Sequence, residues 1–310
     1  MKNKIRTIII GTPDFGISTF ETLINDDHFE IVAAITQPDK KIGRKQIVAP
    51  PPVKILAQKY NIPVYQPTLI KNYQLPITDI DLILVIAYAQ IIPKKILDLP
   101  KFGCINVHAS LLPKYRGASC IQAAILNGDS ETGITIMKMD EGLDTGPILY
   151  QKKIKINDSD DAGLLFEKLS QLSSKIITKI LLNYIEGKIK TIPQKNDQSS
   201  YVGLLKKDDG KINWENSAAL IEKFVRAMSP WPGSFFLSQG KNIKLLSTEN
   251  KILPINKYSP GDIFLEKDKL CIQCKKDALI VTKIQIEGKK PMTAKEFING
   301  YSRLINKQHK

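Results

Sequence analysis

At 310 residues the chain exceeds what one hydrophobic core usually serves, so two domains are expected. Its 43% hydrophobic and 25% charged residues are an ordinary soluble composition, and four cysteines with no membrane-length apolar run exclude a disulfide scaffold and a spanning protein. The formal charge of +14 is uneven, with 20 basic against 11 acidic residues in 206–310, which suits a polyanionic partner, nucleic acid before membrane; a Lys-rich composition without a partner is the alternative.

In chain order, Thr7–Ile10 reads as a strand, Gly16–Ile24 as a helix and Ile31–Ile35 as a second strand. Met1-Lys2-Asn3-Lys4-Ile5-Arg6 resembles the start of a signal peptide, but Gly11-Thr12-Pro13-Asp14 ends the apolar run too early, so a cytoplasmic protein is expected. Gly11-Thr12-Pro13-Asp14-Phe15-Gly16 is neither a three-glycine dinucleotide fingerprint nor a P-loop, because Ile17-Ser18 stands where Lys-Ser/Thr is required. A tight strand-to-helix turn is expected there, not a nucleotide site. Asp39 to Lys45 sets Lys40, Lys41, Arg44 and Lys45 around Gly43, as a solvated loop or a mobile cationic loop suited to phosphate and base contacts. A helix starts at Pro51-Pro52 and runs to Tyr60. Asp81–Ala87 is continuously apolar after its first residue, the pattern of a strand in a sheet covered on both faces.

Cys104–His108 reads as a strand, Cys120–Leu126 as a helix, Ile134–Met139 and Ile148–Ile154 as strands, and Leu164–Ile185 as a long amphipathic helix. The alternation implies an α/β fold with an open, mostly parallel, Rossmann-like sheet. Residues i and i+2 of a strand share a face, so Asn106 and His108 point the same way. A hydrogen-bond donor beside a titratable ring is the pairing that holds an oxyanion and moves a proton at a carbonyl. Asp144, in the glycine-containing loop Met139–Pro147, is the candidate third partner; a structural core histidine is the competing reading of His108. No metal site is expected, because His28 and His309 lie in unrelated segments and Cys271 and Cys274 face opposite sides of a strand. No serine or cysteine nucleophile motif is present.

Residues 190–205 are polar and poorly patterned, and read as a linker between a catalytic domain, 1–189, and a basic domain, 206–310. In the latter a helix over Ser217–Met228 precedes Ser229-Pro230-Trp231-Pro232-Gly233, and short strands such as Asn242–Ser247 and Leu279–Ile286 follow. That rhythm implies a small OB-like β-barrel.

Asn106-x-His108-x-Ser110-Leu111-Leu112-Pro113, then Tyr115-Arg116-Gly117 and Asp144-Thr145-Gly146-Pro147, resembles the 10-formyltetrahydrofolate-dependent formyltransferases. The resemblance covers essentially the whole chain, supported by the Gly11–Phe15 opening, Gln37-Pro38-Asp39 with Gly43-Arg44, Pro52-Val53-Lys54 and Pro230–Gly233. Lys114-Tyr115 stands where the family often has Arg-Trp, and Ser119-Cys120 where Ala-Pro is common, which touches local packing and not the chemistry. The resemblance implies transfer of a formyl group from 10-formyltetrahydrofolate to the α-amino group of methionine on initiator tRNA, for translation initiation. It implies Asn106, His108 and Asp144 as the catalytic residues and a folate pocket shaped by Ser110, Leu111, Leu112 and Pro113. The backbone of Ile86, Ala87, Tyr88 and Gln90 would be a further wall of that pocket. Lys40, Lys41, Arg44 and Lys45 would meet the acceptor end of the tRNA, and the basic domain would hold its backbone; no metal is implied, and a monomer is expected. A formyltransferase acting on a small amine, a glycinamide ribonucleotide or an amino sugar, is one alternative. A non-catalytic nucleic-acid-binding protein is the other.

Overall fold

The computed structural model describes residues 4–43 and 46–306. Arg44 and Lys45, two of the four expected tRNA contacts, lie outside the described residues. The chain divides into two units: one holds the residues up to Cys120, Glu131–Ile154 and Phe166–Gly203; the other holds Ile121–Ser130, Lys155–Leu165 and everything from Leu204.

In the first unit β1 (Ile5–Gly11) leads into α1 (Ile17–Ile24), β2 (Phe29–Ile35), the hairpin strands β3 (Lys40–Ile42) and β4 (Ile47–Ala49), α2 (Pro52–Lys59), β5 (Val64–Tyr65) and β6 (Leu82–Ile86). Then follow α3 (Lys94–Leu97), β7 (Cys104–His108), β8 (Arg116–Gly117), β9 (Glu131–Lys138), β10 (Ile148–Lys155), α5 (Ala162–Ile185) and β11 (Tyr201–Val202), while α4 (Cys120–Leu126) falls in the second unit from Ile121 on. The main sheet runs β10-β9-β7-β6-β1-β2-β5. The pairs from β7 through to β5 are parallel, and β9 returns antiparallel to β7. Every residue of β6 and β7 is buried, as expected of strands covered on both faces. The chain builds outward from β1 to β2 and β5, then crosses to β6 and β7, so the strand order reverses between β1 and β6. Ligands of open α/β sheets bind outside the carboxyl ends of the strands near such a reversal.

The Gly11–Gly16 turn serves packing. A Cβ on Gly11 would stand 2.6 Å from the Ile86 carbonyl oxygen and 2.9 Å from the Phe20 ring, so only glycine lets β1 lie that close to β6. The cationic loop contains more order than the sequence suggested: β3 and β4 pair antiparallel, with Lys40 opposite Ala49 and Ile42 opposite Ile47.

The second unit has α6 (Ala218–Met228), β12 (Ser234–Ser238), β13 (Lys241–Leu253), β14 (Ile263–Glu266), β15 (Lys269–Gln273), β16 (Ala278–Ile286), β17 (Met292–Thr293) and α7 (Ala294–Gly300). Its sheet is antiparallel in the order β12-β13-β16-β15-β14, with β17 on β16. α6 is capped by the Ser217 hydroxyl, which accepts from the Leu220 amide, and buries Ala218, Ile221, Val225 and Met228 along one stripe. Cys271 and Cys274 fall in different apolar clusters. Among the described residues no His, Cys, Asp and Glu cluster could hold a metal ion, and no helix is long and apolar enough to cross a membrane.

The segment expected as a linker is built into the first unit. Ile192 and Ile148 exchange both backbone hydrogen bonds at 2.8 Å, and β11 pairs in parallel with β8. Conversely, Ile121–Ser130 and Lys155–Leu165, inside the span 1–189, pack with the second unit. Strand pairing between segments some 85 residues apart has no local signature in a stretch of polar composition.

Candidate active site

β7 ends at His108, and its strand period puts Asn106 and His108 on one face, both buried. Asp144 comes from the loop after β9 and converges on both. Asn106 Nδ2 lies 3.4 Å from Asp144 Oδ1, and His108 Nδ1 lies 3.6 Å from Asp144 Oδ2. The shorter bond to that carboxylate is the Gly117 amide, which donates to Oδ2 at 2.8 Å. His108 Nε2 is 2.9 Å from the Tyr115 carbonyl oxygen. A carbonyl only accepts, so Nε2 carries a proton. Burial opposes the cationic ring, but hydrogen bonding and charge from Cys120, the Asp144 carboxylate and the Tyr115 carbonyl outweigh it and raise the pKa of His108 to about 9. The ring is held between a carboxylate and a carbonyl, which favours its cationic form. The two looser contacts leave Asn106 and His108 room to reorient toward a reacting group.

The turn after β7 is held rigidly. Thr135 on β9 donates to the Ser110 carbonyl at 2.7 Å and accepts from the Leu112 amide at 3.1 Å. Gln151 Nε2 donates to that hydroxyl at 2.9 Å and to the Leu112 carbonyl at 2.8 Å, while the Ser110 hydroxyl donates to the Lys114 carbonyl at 2.6 Å. Thr135 and Gln151 were missed by sequence reasoning, since nothing local to them marks a site. Ser110 and Leu112 are buried in this bracing, whereas Leu111 and Pro113 keep partial exposure.

Beyond β6 the backbone turns through two left-handed residues, Ala87 (φ 50) and Ala89 (φ 62), both exposed. Tyr88 between them is buried in the apolar cluster, and that burial pushes its hydroxyl up to about 12. Its carbonyl accepts from Gln37 Nε2 at 2.8 Å. The Gln90 side chain ties down the neighbouring loop, accepting from the Ile70 amide and donating to the Thr68 carbonyl. Of the expected folate wall, Ile86, Tyr88 and the Gln90 side chain thus have structural duties, and open backbone remains at Ala87 and Ala89. At the ends of β1 and β2 the buried hydroxyls of Thr12 and Thr36 have no protein partner among the described residues, so polar groups of a ligand fit that rim.

Lys40 and Lys41 are exposed on the hairpin, with Lys40 Nζ hydrogen-bonded to Gln37 Oε1. Ile47 (61% exposed) and Val48 (59%) share the same hairpin. In the second unit every lysine from Lys206 to Lys295 is exposed except Lys223, which is partly buried.

Residues 3–181 match the Formyl transferase family and residues 204–302 match Formyl transferase, C-terminal domain. The methionyl-tRNA formyltransferase of Caldicellulosiruptor saccharolyticus is 41% identical over 95% of this chain and 96% of that protein. That of Thermodesulfovibrio yellowstonii is 44% identical over 94% and 95%. Among solved structures, a sugar 3N-formyl transferase in the presence of dTDP and 5-N-formyl-THF matches with a TM-score of 0.65 at 23% identity, covering 93% of this chain and all (100%) of that one. An N-formyltransferase from Helicobacter canadensis with folinic acid and dTDP-3-aminofucose matches with a TM-score of 0.66 at 21% identity, over 89% and 98%. On these matches, which span both units, the chain belongs to the formyl transferase family.

Proposed function

We propose that this protein transfers the formyl group of 10-formyltetrahydrofolate to the α-amino group of methionyl initiator tRNA. The observation that carries the reading is the convergence of Asn106 and His108 on Asp144 at the carboxyl end of β7. Full-length relatives that are methionyl-tRNA formyltransferases support the acceptor. The exposed lysines of the second unit support a polyanionic substrate.

The folate supplies the one-carbon unit as an activated formamide. When the amine nitrogen bonds to the formyl carbon, the carbonyl electron pair moves to oxygen. Asn106 Nδ2 donates to that oxyanion, and the adjacent His108 cation stabilises it. Collapse breaks the bond from carbon to the folate nitrogen, which leaves with a proton from His108, and the amine proton that Asp144 takes up restores the ring. Asp144 keeps His108 cationic and oriented, and accepts the proton of the attacking amine through water. Ser110 to Pro113 and the open backbone at Ala87 and Ala89 are the groups available to hold the folate. Lys40 and Lys41, with Arg44 and Lys45, are assigned to the acceptor end of the tRNA.

The test is incubation with 10-formyltetrahydrofolate and methionine-charged initiator tRNA, with formylmethionine as readout. Glycinamide ribonucleotide and an amino sugar are run as competing acceptors. Turnover on the small amines with none on the charged tRNA would overturn the acceptor assignment while leaving the formyl chemistry in place.

A further inference from the structure

We propose that Arg116 and Gln194 form a positioning pair that holds Asp144 in its working conformation, so that the segment between the two family matches is part of the catalytic unit. The inference rests on the formyl-transfer reading and deepens it. Arg116 is 2% exposed, and among the described residues the hydrogen-bond acceptors of its side chain are neutral oxygens. Nε and Nη2 donate to Gln194 Oε1 at 3.2 and 2.9 Å, Nη2 also to Asn196 Oδ1 at 2.8 Å, and Nη1 to the Tyr201 hydroxyl at 2.9 Å. The guanidinium also lies 5.6 Å from the centre of the Tyr201 ring. A fully buried arginine without a carboxylate is costly as a purely structural element.

What this arrangement secures is the other end of Gln194. Its Nε2 donates to the Asp144 carbonyl at 2.8 Å and to the Gly146 carbonyl at 2.7 Å. Asp144 has φ 54, a left-handed backbone that costs a non-glycine residue some strain, though aspartate less than most. On the opposite side the turn is walled by β9, where a Cβ on Gly146 would stand 1.9 Å from the Lys138 carbonyl oxygen. The guanidinium has only hydrogens to offer, so it fixes the Gln194 oxygen toward itself and the amide hydrogens toward the two carbonyls. A flipped amide would set donors against donors.

Arg116 is also flanked by the two backbone groups that touch the site. The Tyr115 carbonyl accepts from His108, and the Gly117 amide donates to Asp144. The same polar segment holds this stretch from behind. Ser200 Oγ accepts from the Tyr115 amide at 2.9 Å, and the Ser200 carbonyl accepts from the Arg116 amide at 2.8 Å. Gln194, Asn196, Ser200 and Tyr201 all lie between residues 181 and 204, outside both family matches.

The experiment is Gln194→Glu in the full-length chain. The carboxylate still accepts from Arg116 but has no hydrogen for the carbonyls of Asp144 and Gly146. We expect the melting temperature to hold or rise, KM for both substrates to stay within about twofold, and kcat to fall about tenfold or more, the cost of a small misplacement of a catalytic group. A folded Gln194→Glu protein with native kcat overturns the inference. If Gln194→Glu does not fold, Gln194→Asn, which keeps the amide but is one methylene too short to span both partners, is measured below its melting midpoint. Loss confined to kcat then supports the pair, and native kcat overturns it. The unaltered chain runs in the same assay: absence of turnover there would sink the formyl-transfer reading itself, a result distinct from equal turnover in chain and variant.

Discussion

The backbone amide of Gly117 approaches Asp144 Oδ2 to 2.8 Å, closer than either Asn106 or His108 comes to that carboxylate. Asp144 is therefore fixed by main chain first, and Asn106 and His108 are its looser partners. This ordering shapes what substitutions should do.

Asn106→Ala, His108→Ala and Asp144→Ala should each lower turnover by roughly two to three orders of magnitude, the usual effect of deleting a preorganised donor. Combined, their losses should fall well short of multiplying, because the three act as one unit. Single-turnover kinetics on charged tRNA is the measurement. Near-native turnover in His108→Ala would remove it from the catalytic residues.

His108 should titrate near 9, well above an ordinary imidazole. Its folded value is raised, so the stability it contributes is fully present below about 6.5, the unfolded value. That contribution is lost as pH rises through about 9. Urea unfolding from pH 6 to 10 should show this decline in the wild-type chain and not in His108→Gln, and ring NMR reads the titration directly. A ring that titrates near 6.5 contradicts the prediction.

Arg44→Ala should raise KM for tRNA, and lower kcat as well if this segment positions the acceptor end, with folate affinity unchanged. Steady-state kinetics with each substrate varied in turn separates the two effects. An equal loss of folate affinity would assign Arg44 to the folate pocket instead.

The second unit should carry the salt dependence of tRNA binding. Each phosphate contact contributes about −0.7 to −0.9 to the slope of log affinity against log salt. Removing the chain after Leu205 should flatten that slope and weaken binding, with folate binding as the control for folding of the remainder. An unchanged slope in a folded truncation would mean that the exposed lysines are ordinary surface, and would favour a small-amine acceptor.

Gly11→Ala should destabilise the first unit by roughly 1–3 kcal/mol, as overpacking does. The new methyl would meet the Ile86 carbonyl at 2.6 Å and the Phe20 ring at 2.9 Å. Thermal unfolding reads the loss. Unchanged stability would reopen a ligand role for that turn.

Much of this protein is determined within short windows of its sequence. The two-residue period of a strand puts Asn106 and His108 on one face, and the unbroken apolar run after Asp81 makes β6 a strand buried on both sides. Gly11 and Gly16 announce a tight turn, and the alternation of elements announces the parallel sheet. Tertiary structure alone decided the rest. The Asp144 carboxylate is aimed by Gly117 and Gln194, far from it in sequence, and a left-handed aspartate has no signature in composition. Residues 190–205 look like a linker because their side chains are polar, yet polar groups among them are what a buried Arg116 requires. The hairpin of β3 and β4 and the pairing of β8 with β11 involve strands of two or three residues, too short for any periodicity to show. Periodicity reports what each residue's near neighbours allow; which distant segments satisfy a buried charge or a strained turn depends on contacts that form only once the chain has folded.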